Sequence, residues 1–328
     1  MVSMDDVAVK ARVSKATVSR VLNGKKVVSP GAREKVLASC RELGYKLNHN
    51  IQDLILKSRN GFTRNIAFVI VGKFFADPAY AHYIDGIARA VNEAHYHLLL
   101  VKLRGDERNI YDLPPILRDE RVDGIIITGN LQKPIIEVIK SLDSKCVVLG
   151  NYSERVLDGV ASVRCKSGNR IAGMMEQLVR AGKRRIGFVE ENPENYESLS
   201  LFAAYKELLA EYDLPFDPEI CYFGKGSFSG VSDVLLPVMK REKLPFDSLI
   251  CCDIRIAREV SYLLFGRFGL ERPIEVTLAT IRLFEYYTLP VPAVYFDTNV
   301  NEYMDAALRH LIDQIERNEK PKTILTDG

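Results

Sequence analysis

The sequence predicts two folded parts: a small all-α module at the N-terminus and a larger α/β core made of two lobes. The module is indicated by short stretches within residues 4–43 whose apolar residues recur at helical spacing. The core is indicated by strand-like and helix-like segments that alternate from Ile66 onward, a pattern typical of parallel sheets. A length of 328 residues exceeds one ordinary small domain and suits this division.

Helix caps define the first two helices. Ser3 followed by Asp6 is a helix-start signature, because the hydroxyl accepts from first-turn amides and the acid lies at the positive end of the helix dipole. We therefore expect a short helix that ends at Ala11. After a turn, Ser14 is the N-cap candidate of a second helix.

The second helix has one apolar and one polar face. Val18, Val21 and Leu22 recur at i, i+3 and i+4, and helices this short are stable only when they pack together. Small hydroxyls and cations form the outward face, which consists of Ser14, Lys15, Ala16, Thr17, Ser19 and Arg20. This mixture suits a helix in the DNA major groove, where hydroxyls and amides meet phosphates and arginine forks onto guanine. A solvated amphipathic hairpin is the alternative interpretation.

A third helix is signalled by Ser29 as N-cap, Pro30 at the first helical position and Gly44 at the end. Its apolar stripe is expected to consist of Val36, Leu37, Cys40 and Leu43. The three helices would share one small core.

Residues 4–58 contain several motifs in a fixed order. These are Val-Ser-Lys-Ala-Thr-Val-Ser-Arg-Val-Leu-Asn-Gly, then Val-Ser and Arg-Glu-Lys-Val, then Leu-Gly-Tyr and Asn48. Together they resemble the headpiece of the LacI/GalR (lactose-repressor) family of bacterial transcription regulators. The resemblance implies a helix-turn-helix headpiece over residues 1–47 that binds double-stranded operator DNA. The implied contact residues are Ser14, Lys15, Ala16, Thr17, Ser19, Arg20 and Asn23.

Residues 48–63 are predicted to form a hinge helix and a linker. About ten residues from Asn48 cannot sustain a lone helix in water. The resemblance implies that this segment orders on the operator and that Leu54 wedges into the minor groove, which kinks the duplex. Leu47 stands where the family usually has proline, and Asp53 places a negative charge beside phosphates.

From residue 64 the pattern predicts nine strands and seven helices. The strands are Ile66 to Val71, Leu98 to Val101, Gly124 to Thr128, Cys146 to Leu149, Arg185 to Val189, Ile220 to Phe223, Leu249 to Cys252, Val276 to Ile281 and Val294 to Phe296. The helices are Tyr80 to Ala94, Ile135 to Leu142, Asn169 to Ala181, Leu199 to Tyr212, Val231 to Arg241, Arg255 to Phe268 and Asn301 to Glu316.

Motifs of the core continue the resemblance. Phe-Phe-Ala-Asp-Pro-Ala-Tyr, Arg-Val-Asp-Gly-Ile-Ile-Ile, Ala-Gly-Lys-Arg-Arg-Ile-Gly-Phe and Phe-Gly-Lys-Gly-Ser-Phe-Ser-Gly occur in that order. The family core is similar to periplasmic sugar-binding proteins. For residues 64–328 the resemblance implies two doubly wound lobes, three chain crossings between them, a ligand in the cleft and a homodimer.

The cleft has departed from the sugar site that the resemblance implies. Leu201 stands at the usual arginine position, Cys252 replaces the partner of Asp253, and Cys165 stands where an aspartate is expected. We therefore expect an effector that is unusual or absent. The predicted cleft-lining groups are Phe75, Tyr80, Asn151 and Asp253. Alternatively, Arg164 or Arg282 supplies the missing cation, which would favour an anionic ligand.

The charge is unevenly distributed. Residues 1–60 contain 12 Lys and Arg against 5 Asp and Glu, which gives +7, and the remainder contains 33 against 38, which gives −5. A basic module on an acidic body is typical of a DNA-binding protein, because neutralised phosphates supply much of the affinity.

The sequence predicts no catalytic residues, no metal site and no cofactor. Gly224 to Gly230 follows a strand, but its spacing is one residue too long for a dinucleotide loop. His95 and His97 have no third metal ligand signalled, and the six cysteines form no C-x-x-C pair. No apolar run is long enough to span a membrane, and we expect a cytoplasmic protein. A small-molecule enzyme or solute-binding protein with an incidental helical module remains the alternative.

Overall fold

The structure is a computed structural model that describes residues 2–22, 28–45, 62–73, 78–119, 121–192, 196–225, 228–268, 273–282 and 288–327. The chain divides into two compact units, Met1–Thr63 and Arg64–Gly328. Among the described helices, none combines the length and apolar character needed to cross a bilayer.

The N-terminal unit contains three helices, α1 (Met4–Ala11), α2 (Lys15–Leu22) and α3 (Pro30–Leu43). The predicted start of α1 is confirmed as a capping box. The Asp6 amide donates to the Ser3 hydroxyl at 3.3 Å, and the Ser3 amide donates to the Asp6 carboxylate at 2.8 Å. These two bonds satisfy amides that a helix start otherwise leaves unpaired.

The predicted boundaries of α3 are also confirmed. The Ala32 amide donates to the Ser29 hydroxyl at 3.4 Å, and Pro30 occupies the first turn, where no amide is needed. Gly44 ends the helix at φ +62°, in the left-handed region that favours glycine.

One small core holds the three helices together. Its buried residues are Val7, Ala8, Ala11, Val18, Val21 and Val36. The prediction that Leu37 belongs to this core is wrong, because its side chain is 41% exposed. The inward stripe of α3 is centred on Val36 and Ser39, and Leu37 lies one position round the helix from it. The predicted hinge helix lies outside the described residues.

Eleven strands are described in the second unit. They are β1 (Asn65–Val71), β2 (His97–Leu103), β3 (Gly124–Gly129), β4 (Lys145–Leu149), β5 (Ala161–Cys165), β6 (Ile186–Glu190), β7 (Cys221–Phe223), β8 (Ser248–Cys251), β9 (Thr277–Arg282), β10 (Ala293–Asp297) and β11 (Thr323–Thr326). They form two sheets, in the orders β11-β5-β4-β3-β1-β2 and β10-β9-β8-β6-β7. Every neighbouring pair is parallel.

Helices cover both sheets, as parallel sheets require. They are α4 (Pro78–Glu93), α5 (Pro115–Arg118), α6 (Lys133–Lys140), α7 (Glu154–Leu157), α8 (Ser167–Arg180), α9 (Tyr196–Glu211), α10 (Phe228–Met239), α11 (Ile254–Phe268) and α12 (Val300–Arg317). Each of the nine strands and seven helices predicted for the core overlaps an observed element. The strands β5 and β11 and the short helices α5 and α7 were not among the predictions.

Each sheet belongs to one lobe. The first lobe contains the six-stranded sheet and α12, whose Met304 and Leu311 are buried against it. The second lobe contains the five-stranded sheet, and α8 packs on it through Met174 and Leu178. Between Arg64 and Asp327 the chain therefore crosses twice, after β5 and after β10. Two of the three expected crossings thus lie between Arg64 and Asp327, and both α12 and β11 belong to the first lobe.

The strand order places one switch point in each sheet. In the first lobe β1 lies between β2 and β3, and in the second lobe β6 lies between β7 and β8. The connections from such a strand leave in opposite directions, which opens a crevice beyond its carboxyl end. Residues that follow β1, β3, β6 and β8 are therefore positioned to line a site.

Candidate nucleic-acid interface and interlobe cleft

Ser14 positions the start of α2. The Thr17 amide donates to its hydroxyl at 3.1 Å, and the two hydroxyl oxygens lie 2.9 Å apart. The Ser14 carbonyl accepts from the Val18 amide at 3.1 Å, which is the first intrahelical bond. Ser14 is thus the N-cap, as the sequence predicts.

The two faces of α2 differ as expected. Val18 and Val21 are buried in the headpiece core. The other predicted contact residues of the helix face outward: Ser14, Lys15, Ala16 and Arg20 are exposed, and Thr17 and Ser19 are half-buried. Asn23 and Leu54 lie outside the described residues. One helix therefore presents short side chains and cations beside its own N-terminus, where a phosphate is favoured.

The two cations on this face have different surroundings. The Lys15 ammonium lies 2.7 Å from the Asp5 carboxylate, and both side chains are mostly exposed. An exposed pair of this kind contributes at most about 1 kcal/mol, so a phosphate or a base edge can replace Asp5. Arg20 has no ion-pair partner among the described residues.

The second unit contains a cavity of about 800 Å³ between its two lobes. This volume suits a small molecule of drug size. Residues after the switch-point strands line it, including Lys73 after β1 and Glu190 at the end of β6. The predicted residues Tyr80, Asn151 and Asp253 all line this cleft, whereas Phe75 lies outside the described residues.

Two arginines of the second lobe line the cleft, and each is paired with a carboxylate of that lobe. The Arg170 guanidinium lies 3.1 Å from the Glu197 carboxylate. The Arg255 guanidinium makes a bidentate contact with Asp253, to Oδ1 at 2.8 Å and to Oδ2 at 2.7 Å. The Nε atom of Arg170 is buried and has no hydrogen-bond partner among the described residues.

Neither arginine proposed as a displaced cation lines the cleft. Arg164 pairs with Glu154 at 2.5 Å, and Arg282 pairs with Asp297 at 2.7 Å. Their carboxylate partners are more than half exposed. This arrangement gives no support to the alternative in which one of these residues binds an anionic ligand.

Glu190 is the most buried carboxylate of the cleft, with 7% of its surface exposed. Its Oε1 accepts from the amides of Glu191 at 2.7 Å and Asn192 at 3.4 Å. Burial raises the pKa of Glu190 from 4.5 to about 7, although these amides and the Cys252 thiol act in the opposite direction. No described lysine or arginine forms an ion pair with it.

Tyrosines form much of the first-lobe wall. The rings of Tyr80 and Tyr83 meet edge to face, with centroids 5.9 Å apart. The Tyr152 hydroxyl donates to the Gly129 carbonyl at 2.6 Å and accepts from the Gly129 amide at 3.1 Å. Because that hydroxyl is fully engaged, Tyr152 offers the cavity its ring. Across the part of the chain that the structure covers, no cluster of His, Cys, Asp and Glu could hold a metal ion.

The headpiece and the whole chain are similar to known proteins. The family described as "Bacterial regulatory proteins, lacI family" matches residues 3–48. The HTH-type transcriptional regulator RegA of Clostridium saccharobutylicum is 29% identical over 240 residues, which cover 71% of this chain and 70% of RegA. The predicted resemblance to the LacI family is confirmed. The chain is a DNA-binding transcription regulator.

Solved structures of LacI-family proteins share the fold. A lac repressor structure bound to ONPG in the repressed state gives a TM-score of 0.78 at 17% identity, and the match covers 99% of this chain and 96% of that one. A complex of the transcriptional regulator CelR with cellobiose gives 0.66 at 20% identity, covering 99% and 97%. The predicted fold class, a helix-turn-helix headpiece with a two-lobed α/β core, is confirmed.

The residues that line the cleft differ in part from the predicted ones. Leu201 and Cys252 line it, as the departures from the family pattern suggest, but Cys165 does not. Glu190, Arg170 and Glu197 line it and were missed. Glu190 could have been found from the sequence, because it directly follows a predicted strand. Arg170 and Glu197 lie on two different helices, and their pairing has no local sequence signal.

Proposed function

We propose that the protein is a homodimeric repressor that binds a pseudo-palindromic operator through α2. The observation that supports this most strongly is the outward face of α2, with Arg20 exposed and Ser14 capping the helix. In this proposal Lys15, Ala16 and Arg20 read bases. The residues that position the helix on phosphates are Ser14, Thr17, Ser19 and Asn23, and Leu54 wedges into the minor groove.

Two copies are needed for tight binding. One headpiece offers few contacts and a weak affinity, whereas two linked headpieces bind the second half-site as an intramolecular event. The twofold symmetry of the protein is then mirrored in the operator. In this proposal the core forms the dimer contact. The headpiece is residues 1–47, the hinge and linker are residues 48–63, and the core is residues 64–328.

A small molecule in the cleft is assigned the control of DNA affinity. A ligand that binds one relative position of the lobes better than another shifts the population between them, by at most its difference in affinity. Phe75, Tyr80, Asn151 and Asp253 are the residues first assigned to it. We assign the protein no catalytic activity, no cofactor and a site of action in the cytoplasm, where bacterial DNA lies.

A DNA-binding experiment tests this proposal. Binding-site selection with the purified full chain should yield a pseudo-palindrome, and fluorescence anisotropy on that site should give an affinity that falls steeply with salt. Light scattering at micromolar concentration should give the mass of a dimer. Absence of DNA binding at low salt, or a monomer, would overturn the proposal.

A further inference from the structure

We propose that the interlobe cleft binds a ligand with a positively charged nitrogen, which pairs with the Glu190 carboxylate and contacts tyrosine rings of the first lobe. This inference rests on the proposed function, because it names the chemical class of the molecule that would control DNA binding. It follows from which charges of the cleft are already neutralised.

The described ion pairs of the cleft do not include Glu190. Among the described residues, the charged side chains that line the cleft are Lys73, Arg170, Glu190, Glu191, Glu197, Asp253 and Arg255. Arg170 and Arg255 are neutralised by Glu197 and Asp253 at 2.7–3.1 Å. The second-lobe wall then retains two carboxylates, Glu190 and Glu191, with no ion-pair partner among the described residues.

Of these two carboxylates, Glu190 is the more buried, so its ionised form loses more hydration and gains more from a cation. It is 7% exposed, whereas Glu191 is half-buried. A buried carboxylate without a cation is penalised because it loses water, and two backbone amides compensate only part of that loss. A ligand cation at Glu190 would supply the missing partner. When the cation binds, a protonated Glu190 would lose its proton and its carboxylate would be ionised.

The opposite wall suits a cation as well. The first-lobe lining contains no carboxylate among the described residues, but it contains the rings of Tyr80, Tyr83 and Tyr152. An aromatic face attracts a cation through its negative quadrupole, and ammonium groups are bound in this way between aromatic rings. Among the described residues of this wall, Lys73 carries the one positive charge, and its long, half-buried side chain can keep its ammonium in water.

An anionic ligand finds no comparable site. At Arg255 it must displace the Asp253 carboxylate, which accepts both arms of the guanidinium fork, and at Arg170 it would lie beside the Glu197 carboxylate, 3.1 Å from the guanidinium. A neutral sugar would also find the donors of Arg255 engaged, and Leu201 offers it no donor at the position where the family resemblance implies an arginine.

Matched ligand pairs provide the first test. Calorimetric titration of the full-length protein at pH 8 would compare choline with 3,3-dimethylbutan-1-ol and tyramine with 4-propylphenol. Each pair keeps the shape and removes the charge. We expect at least one amine to bind tenfold or more tightly than its neutral counterpart. Preference for a neutral member or for added carboxylates and phosphates, or no binding by any amine, would overturn the inference.

Substitution of Glu190 provides the second test. Glu190→Gln keeps an acceptor for the two amides and removes the charge, so it should weaken binding of the preferred amine 10- to 100-fold. Glu191→Gln is the matched control on the neighbouring, less buried carboxylate and should change it less than threefold. Thermal unfolding without ligand should show that both variants are folded. Equal losses, or no loss in Glu190→Gln, would overturn the assignment of the cation to Glu190.

The pH dependence of binding separates a cation at Glu190 from a general effect of cleft shape. The ionisable groups that interact with Glu190 include the Asp253 carboxylate and the Cys251 and Cys252 thiols, and the cleft also contains Glu191, Glu197, Arg170 and Arg255. Because the cation binds only the ionised carboxylate, affinity should rise up to tenfold per pH unit below about 7 and level off above it. Glu190→Gln should abolish this slope, and a slope that persists in the variant would contradict the inference.

Anisotropy on the selected operator distinguishes this inference from the proposed function. If the protein binds the operator and no amine, only the ligand class is wrong. If the protein binds an amine through Glu190 and no DNA, the regulator proposal is wrong and the ligand site stands.

Discussion

The Asp253 carboxylate and the Arg255 guanidinium form a bidentate ion pair at the first turn of α11. The Arg255 amide donates to Asp253 Oδ1 at 2.7 Å, and its guanidinium donates to Oδ1 at 2.8 Å and to Oδ2 at 2.7 Å. The Asp253 carbonyl accepts from the Ala257 amide at 3.0 Å. Asp253 is therefore the N-cap of α11, and a structural role accounts for its place in the cleft.

Removing this cap should destabilise the core. Asp253→Ala leaves first-turn amides unsatisfied and should lower the free energy of unfolding by about 1 to 2 kcal/mol, measured by urea denaturation. Asp253→Asn keeps a capping oxygen and loses only a partly exposed ion pair, so its loss should be about 0.5 kcal/mol. Equal losses in the two variants would contradict the capping role.

Glu190 should make stability depend on pH. Its pKa is raised to about 7 from 4.5, so between these values the folded state binds more protons than the unfolded state. Stability is then highest below about pH 4.5 for this group and falls as pH rises to 7, by roughly 3 kcal/mol as an order of magnitude. Urea denaturation of the wild type at pH 5, 6, 7 and 8 measures the fall.

Two variants control for the other carboxylates. Glu190→Gln has no group to titrate at this position, so the difference between its unfolding free energy and that of the wild type should widen steadily from pH 5 to 7. Glu191→Gln should follow the wild type. A constant difference between Glu190→Gln and the wild type would show that Glu190 titrates at an ordinary pKa.

Gly129 and Tyr152 should both be needed for the shape of the cleft. Gly129 ends β3 at φ +113°, and an added Cβ would lie 2.2 Å from the Val71 carbonyl oxygen. We expect Gly129→Ala to lower the unfolding free energy by roughly 3 kcal/mol or more, because backbone and strand must both shift. Tyr152→Phe removes a hydroxyl bonded twice to Gly129 and should cost about 1 to 2 kcal/mol.

Gly159 is the matched control for Gly129. It also has a positive φ, +77°, but an added Cβ would meet nothing within 4 Å. Gly159→Ala should therefore cost only about 1 kcal/mol, the backbone part of the effect. Chemical denaturation of both variants separates strain from steric overlap, and similar losses would contradict the close contact with Val71.

Strong local signals explain why much of the fold could be predicted. The capping box of Ser3 and Asp6, and Ser29 with Pro30, depend on neighbours three residues apart or less, so the sequence itself contains the interaction. Buried parallel strands such as β1, with seven buried residues, read as apolar runs. By contrast, β11 is largely exposed at the sheet edge, so pairing with β5 rather than composition defines it.

The cleft was less predictable because its contacts join distant segments. The sequence predicts which residues follow the strands, and Tyr80, Asn151 and Asp253 do line the cavity. It does not show that Arg170 is already paired with Glu197, 27 positions away on another helix. Which charges are neutralised decides the ligand class, and that information exists only in three dimensions.

Arg20 gives the last prediction, which concerns DNA. It is exposed on the outward face of α2 and has no ion-pair partner among the described residues, so no described carboxylate competes for its guanidinium. A bidentate contact from arginine to guanine O6 and N7 discriminates against other bases by about 1 to 3 kcal/mol. Arg20→Ala should therefore weaken binding to the selected operator by that amount and relax one base position in each half-site, measured by anisotropy on single-base variants.

Arg41→Ala is the control for this change, because Arg41 is an equally charged, exposed residue on the last turn of α3. It should leave the base preference unchanged, although any loss of a phosphate contact would lower affinity uniformly and reduce the salt dependence. Comparison of the two variants thus separates recognition of a base from the general electrostatic attraction to phosphates. If Arg20→Ala weakened all operator variants equally, Arg20 would contact phosphate, and the base-reading role would pass to Lys15 and Ala16.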